Sequence, residues 1–147
     1  MNRSLRRSAL VLGLLLAASA CSPNLGEPRV PSTDFRATLN GASEVPPVDT
    51  QAYGTAVVNI ASDRSVSVTL SVIGMVPMAA HIHEGARGAN GPIVVPLNKI
   101  SEAAFVAPDS ARLTEAQYAA YKAGNLYVNV HSAKYPGGEV RAQIAGR

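Results

Sequence analysis

From residue 65 to residue 72 the chain alternates without a break: Val66, Val68, Leu70 and Val72 take every second place among Ser65, Ser67, Thr69 and Ser71. Successive side chains of a strand point to opposite faces, so a period of two makes one apolar and one polar face. A helix would scatter the same residues around its surface. The chain must therefore contain a strand with one buried face. Residues 34–39 and 54–60 read the same way, with Phe35, Ala37 and Leu39 inward in the first and Ala56, Val58 and Ile60 inward in the second. Ala61-Ser62-Asp63-Arg64 is a short polar link that makes 54–60 and 65–72 a hairpin. Asn40-Gly41 and Pro46-Pro47 break the chain after the first strand.

Further strands are predicted over 79–83, 92–97, 103–106, 126–131 and 139–144. In the fourth of these Leu126, Val128 and Val130 share a face opposite Tyr127, Asn129 and His131; in the fifth Val140, Ala142 and Ile144 oppose Glu139, Arg141 and Gln143. Tyr135-Pro136-Gly137-Gly138 is turn chemistry, so these two strands are antiparallel neighbours. One helix, 115–123, interrupts the pattern. Thr114 and Gln117 have capping-box spacing, Leu113 and Tyr118 the spacing of a hydrophobic staple, and Gly124 suits the position just past the end. Its Tyr118, Ala119 and Tyr121 are read as packing residues. Seven or eight short strands, mostly antiparallel, with one helix before the penultimate strand, predict an all-β sandwich or closed Greek-key barrel.

The N-terminus has a different logic. Arg3, Arg6 and Arg7 precede an apolar run over 9–18 and small residues before Cys21, the layout of a secretory signal peptide over 1–20 and too short for a permanent membrane span. Leu16-Ala17-Ala18-Ser19-Ala20-Cys21 resembles the bacterial lipobox, with Ala18 where Leu is preferred. Cys21 is the sole cysteine, so lipidation is expected there; plain signal cleavage, leaving a free thiol, is the alternative. Residues 21–33, with three prolines and little to bury, read as a lipidated terminus and flexible tether, and 34–147 as one domain. Three of the 13 basic side chains lie in the signal, leaving ten against ten acids, which gives no support for a nucleic-acid partner. The expected location is the cell envelope, facing periplasm or exterior, with the outer membrane favoured because Ser22 is not an aspartate.

The three histidines are the one arrangement with chemical promise. His81 and His83 flank Ile82 in a strand, so both rings share a face and Ile82 points to the core; His131 also lies opposite the apolar residues of its strand. All three are expected on the outer face of the sheet, where they converge if the two strands are neighbours. Three imidazoles suit copper or zinc and leave a coordination position open. The competing reading is three exposed histidines making ordinary surface hydrogen bonds. Met75 and Met78 offer thioethers but are expected in the core. Glu84 is read either as an orienting carboxylate for a ring or as a solvated loop residue. The glycine-rich stretch 85–92 lacks the ending of a phosphate loop and reads as a long turn. Glu139 and Arg141 are expected to form a surface ion pair.

The blocks His81-Ile82-His83, Gly88-Ala89-Asn90-Gly91-Pro92-Ile93-Val94, Gly124-Asn125-Leu126-Tyr127-Val128-Asn129-Val130-His131-Ser132 and Tyr135-Pro136-Gly137-Gly138-Glu139-Val140-Arg141 together resemble the CHRD (chordin-type) domain family. Phe35, Gly41 and Glu44-Val45-Pro46-Pro47 fit its opening. The resemblance implies an immunoglobulin-like β-sandwich, here in a bacterial exported lipoprotein. The histidine pair and the late Val130-His131 are also similar to the copper ligands of Cu/Zn superoxide dismutases, but three histidines and one cysteine cannot supply the ligands and disulfide of those enzymes. Three functions follow: a non-catalytic binding module with copper or zinc on His81, His83 and His131; a metal-free domain binding an extracytoplasmic protein or glycan; and, ranked last because no acid, base or nucleophile accompanies the histidines, a metal-dependent enzyme.

Overall fold

The computed structural model describes residues 34–146; the expected signal peptide, Cys21 and the tether lie outside them. The chain forms β1 Phe35–Asn40, β2 Tyr53–Ile60, β3 Val66–Ile73, β4 Pro77–Glu84, β5 Ile93–Pro96, β6 Asn98–Ser101, β7 Ala104–Val106, α1 Glu115–Lys122, β8 Leu126–Ser132 and β9 Val140–Ile144. The nine strands hydrogen-bond in the order β5-β4-β8-β9-β1-β2-β3-β7-β6, every pair antiparallel. Among the described residues the fold is thus all-β with a single short helix before the penultimate strand, as the sequence predicts. No helix among the described residues is long and apolar enough to cross a membrane.

One sheet makes both layers. The seam between β9 and β1 rests on a single pair, Asn40↔Arg141, which allows the sheet to turn sharply there. At its other end the two edge strands, β5 and β6, follow one another in the chain with only Leu97 between them. The inner faces of β5-β4-β8-β9 and β1-β2-β3-β7-β6 share one apolar cluster, to which β3 gives Val66, Val68, Leu70 and Val72 and β8 gives Leu126, Val128 and Val130. Since β9 returns beside β1, the run β9-β1-β2-β3 has the strand order of a Greek key.

Local chemistry explains most elements. The alternation in β3 appears as strict in–out burial along its whole length, and Ile60↔Val66 closes the β2–β3 hairpin. In the helix, the Thr114 hydroxyl accepts from Gln117 N–H at 3.2 Å and Gln117 Oε1 accepts from Thr114 N–H at 2.8 Å, satisfying two otherwise orphaned donors. Tyr121 is buried and Tyr118 and Ala120 pack on the core, but Ala119 is exposed, contrary to expectation. It lies about 100° round the helix from Tyr118, away from Tyr121. The strand missed by sequence is β6, whose four residues are all exposed. Asn-Lys-Ile-Ser has no buried face to leave a period, and pairing with β7 alone makes it a strand.

Leu70 is fully buried while Ile73, on the same strand, is 53 % exposed. Leu70→Ala is expected to lower stability by about 2–5 kcal/mol and Ile73→Ala by less than about 1 kcal/mol, measured by urea unfolding.

Candidate metal centre

The site follows from the register of β4 on β8, in which Ala79 pairs with His131, His81 with Asn129 and His83 with Tyr127. Alternation sends Ala80, Ile82, Val128 and Val130 into the core, all fully buried, and turns His81, His83, Tyr127, Asn129 and His131 to the other face. The three imidazoles come together there: ring centroids are 4.8, 5.5 and 6.0 Å apart, and one ligand nitrogen from each lies within 4.8 Å of the others.

Hydrogen bonds fix how these rings present themselves. A carbonyl only accepts, so His83 Nδ1–H donates to Gly91 O and His131 Nδ1–H donates to Pro136 O, each at 2.9 Å. The lone pairs of both rings therefore sit on Nε2. His81 Nδ1 is 3.0 Å from His131 Nε2 and donates to it when the rings are neutral. His83 Nε2 is buried and makes no hydrogen bond; the Asn129 side chain lies beside it, but Asn129 Oδ1 is an unpaired acceptor as well and cannot donate to it. Burial holds all three histidines below the usual imidazole range, His81 down to about 4, with the neighbouring rings adding to the effect on His81 and His83. The cluster is thus a set of neutral imidazoles near pH 7, the form that binds metal.

This face is not the open outer face that the sequence suggests. Along β8 every residue but His131 is buried, so both sides of the strand are covered. Two segments form the lid, residues 85–91 and 41–50. The first is the glycine-rich stretch, whose Gly91 N–H donates to the Tyr127 hydroxyl at 3.2 Å while its carbonyl holds His83. A Cβ on Gly91 would overlap the Glu84 carbonyl oxygen, which explains the glycine. Asn90 Nδ2 donates to Val45 O at 2.6 Å, tying the two segments together.

The expected Glu139–Arg141 surface pair is replaced by two separate buried anchors, 5 % and 1 % exposed. Glu139 accepts from the hydroxyls of Ser132 and Thr50. Arg141 donates to Asn90 Oδ1 at 3.0 Å and Ala89 O at 2.9 Å, and its guanidinium lies 3.4 Å over the centre of the Tyr127 ring. Tyr127 in turn stacks on His83, with centroids 4.9 Å apart and planes 6° from parallel. Coverage by the lid forces this change, because a buried arginine needs its donors satisfied and the loop carbonyls are nearest. Among the described residues the histidine nitrogens bond to backbone carbonyls and to each other, not to Glu84. Met75 packs on the core as expected, but Met78 is 64 % exposed. A register shift between Pro77 and Ala79 at the start of β4 turns it outward.

Sequence reasoning missed Glu44, Asn129 and Tyr127 as members of the site. Asn129 lies directly opposite His81, and the Glu44 carboxyl is buried beside Asn129. Gly138, at φ +129, leaves the space that both side chains use; a Cβ there would strike Glu44 Oε1 and Asn129 Nδ2. Burial pushes the Glu44 carboxyl up to about 7, against the opposing pull of Arg141. A carboxyl raised in the folded state holds its proton there longer than in the unfolded chain, so its contribution to stability is full below about 4.5 and is lost as pH rises through about 7. The histidines act oppositely, stabilising more as pH rises to their unfolded value of 6.5. The difference between Glu44→Gln and the unsubstituted chain cancels the histidines. Unfolding free energies measured at pH 5 and pH 8 are expected to move in favour of the variant by about 1–3 kcal/mol.

A family model described as the CHRD domain matches residues 35–144, which takes in every strand, the helix, all three histidines and both lid segments. The searches of curated proteins and of solved structures return no match. With the family's pattern running the length of the fold, this chain belongs to the CHRD domain family.

Proposed function

We propose that this CHRD domain is a non-catalytic binding module that holds one copper or zinc ion through His81, His83 and His131, displayed at the cell envelope by a lipid on Cys21. The observation that carries the reading is His83: one ring nitrogen is committed to Gly91 O, and the other is buried with no partner. Leaving a buried polar nitrogen unmatched costs about 1–3 kcal/mol, and a metal ion on Nε2 removes that cost. His81 Nδ1 and His131 Nε2, joined by a hydrogen bond of 3.0 Å, already stand close to the roughly 3 Å that separates two nitrogens each about 2.0–2.1 Å from one ion. With the ligand nitrogens of the set spread over 4.8 Å, an ion would draw the rings together and shift the His81 proton to Nε2. Carbonyls on Nδ1 of two rings are the usual outer contacts of metal-binding histidines, which fix the tautomer and orient the ring. An all-imidazole set with no thiolate or carboxylate suits copper and zinc over magnesium or calcium.

The convergence of the rings favours this reading over a metal-free interaction domain, for which three clustered neutral imidazoles have no purpose. The basic, apolar and small-residue run before Cys21 supports export and anchoring, and a near-neutral domain supports partners other than nucleic acid.

Calorimetric titration of the full-length chain, with Cys21→Ser to remove a competing thiol, tests the reading. One ion of Cu(I), Cu(II) or Zn(II) is expected per chain, and His83→Ala is expected to weaken binding by more than about 100-fold, beyond the loss typical of an outer contact. Binding no tighter than that of the His83→Ala variant, with circular dichroism showing the variant folded, would overturn it.

A further inference from the structure

Arg141 stands in an unusual electrostatic position. It is buried, yet its hydrogen bonds go to neutral acceptors, and among the described residues the one ion pair is Arg112–Asp63 at the surface. Buried cations are ordinarily matched by an anion. A cavity of about 410 Å³ opens between the two lid segments, with Glu44, Val45 and Ser43 on one wall, Arg87 and Gly88 on the other, and Arg141 and Gln143 among its lining residues. Arg87 is exposed and makes no hydrogen bond among the described residues. Two guanidiniums thus share one cavity, close enough for Arg87 to oppose the charge on Arg141. Among the described residues the one acid in the wall is Glu44, which attracts Arg141 but whose burial leaves it incompletely ionised near neutral pH.

We propose that this cavity is a second site, which binds a small oxyanion, a carboxylate or a phosphate group, between Arg87 and Arg141. The planar guanidinium fork of Arg87 matches the paired oxygens of both anions, while Arg141, whose donors are held by Asn90 and the loop carbonyls, contributes its charge at the wall. The volume falls in the range of small-ligand sites. The glycine-rich stretch supplies one wall with Arg87, although it lacks the lysine and the following helix by which a phosphate loop holds its anion. The site is separate from the three histidines and does not depend on metal binding there.

The test is the thermal midpoint of the full-length chain, stripped of metal and desalted, in sodium phosphate or sodium acetate against sodium chloride of equal ionic strength. The midpoint is expected to rise by about 3–5 °C at saturating phosphate, acetate or both, and whichever anion acts identifies the ligand class. In Arg87→Gln, a change at an exposed side chain, the rise is expected to vanish while the midpoint in chloride stays within about 1 °C. No rise above chloride up to about 50 mM of either anion, or an equal rise in Arg87→Gln, would overturn the proposal.

Discussion

Antiparallel pairing of β4 with β8, continuous from Ala79↔His131 to Glu84↔Leu126, is the constraint on which the rest of this molecule depends. It fills the core with Ala80, Ile82, Val128 and Val130 on one side and assembles a polar face of three histidines, an asparagine and a tyrosine on the other. Such a face normally meets water in an antiparallel sheet. Here it is roofed by two segments, so every polar atom on it needs a protein partner. The chain spends its least regular residues on meeting most of that need, and His83 Nε2 is among the atoms left over.

The roof and the histidines are mechanically one unit. Arg141 holds the 85–91 segment through its carbonyls and the Asn90 side chain; the same segment delivers Gly91 O to His83 and Gly91 N–H to Tyr127. Tyr127 lies between the guanidinium and the His83 ring, in contact with both. A ligand ring fixed by a carbonyl on one edge and by stacking on its face has little freedom to turn away from an ion. Such preorganisation is what a tight site needs, since ordering costs are met during folding rather than on binding. The opposite layer shows the contrast: the outward residues of β3 are exposed to solvent.

The sequence discloses whatever depends on neighbours along the chain. Strict alternation marks β3, four agreeing cap and staple signals mark α1, and Tyr135-Pro136-Gly137-Gly138 marks the β8–β9 turn. Family blocks and the shared face of His81, His83 and His131 were legible for the same reason. Burial of the polar face was not, because the roof comes from segments more than thirty residues distant from β8 and its glycine-rich sequence has no period. Glu139 and Arg141 therefore looked like a surface pair, and Glu44, buried by a fold contact with Asn129, stood out only as part of the family's opening block. Alternation in β8 is true of its side chains but not of its exposure. A signal was present nonetheless: Tyr127, Asn129, His131, Arg141 and Gln143 put five large polar groups, all capable of several hydrogen bonds, on one stretch of sheet.

The central claim is that one ion is held by all three histidines together. X-ray absorption of the zinc- or copper-loaded chain with Cys21→Ser addresses it directly, since scattering from imidazole rings counts the histidine ligands. The account predicts three imidazole nitrogens at about 2.0–2.1 Å with the remaining position filled by a light atom. A spectrum with a single imidazole, or with a sulfur neighbour near 2.3 Å, would contradict it, placing the ion elsewhere on the chain.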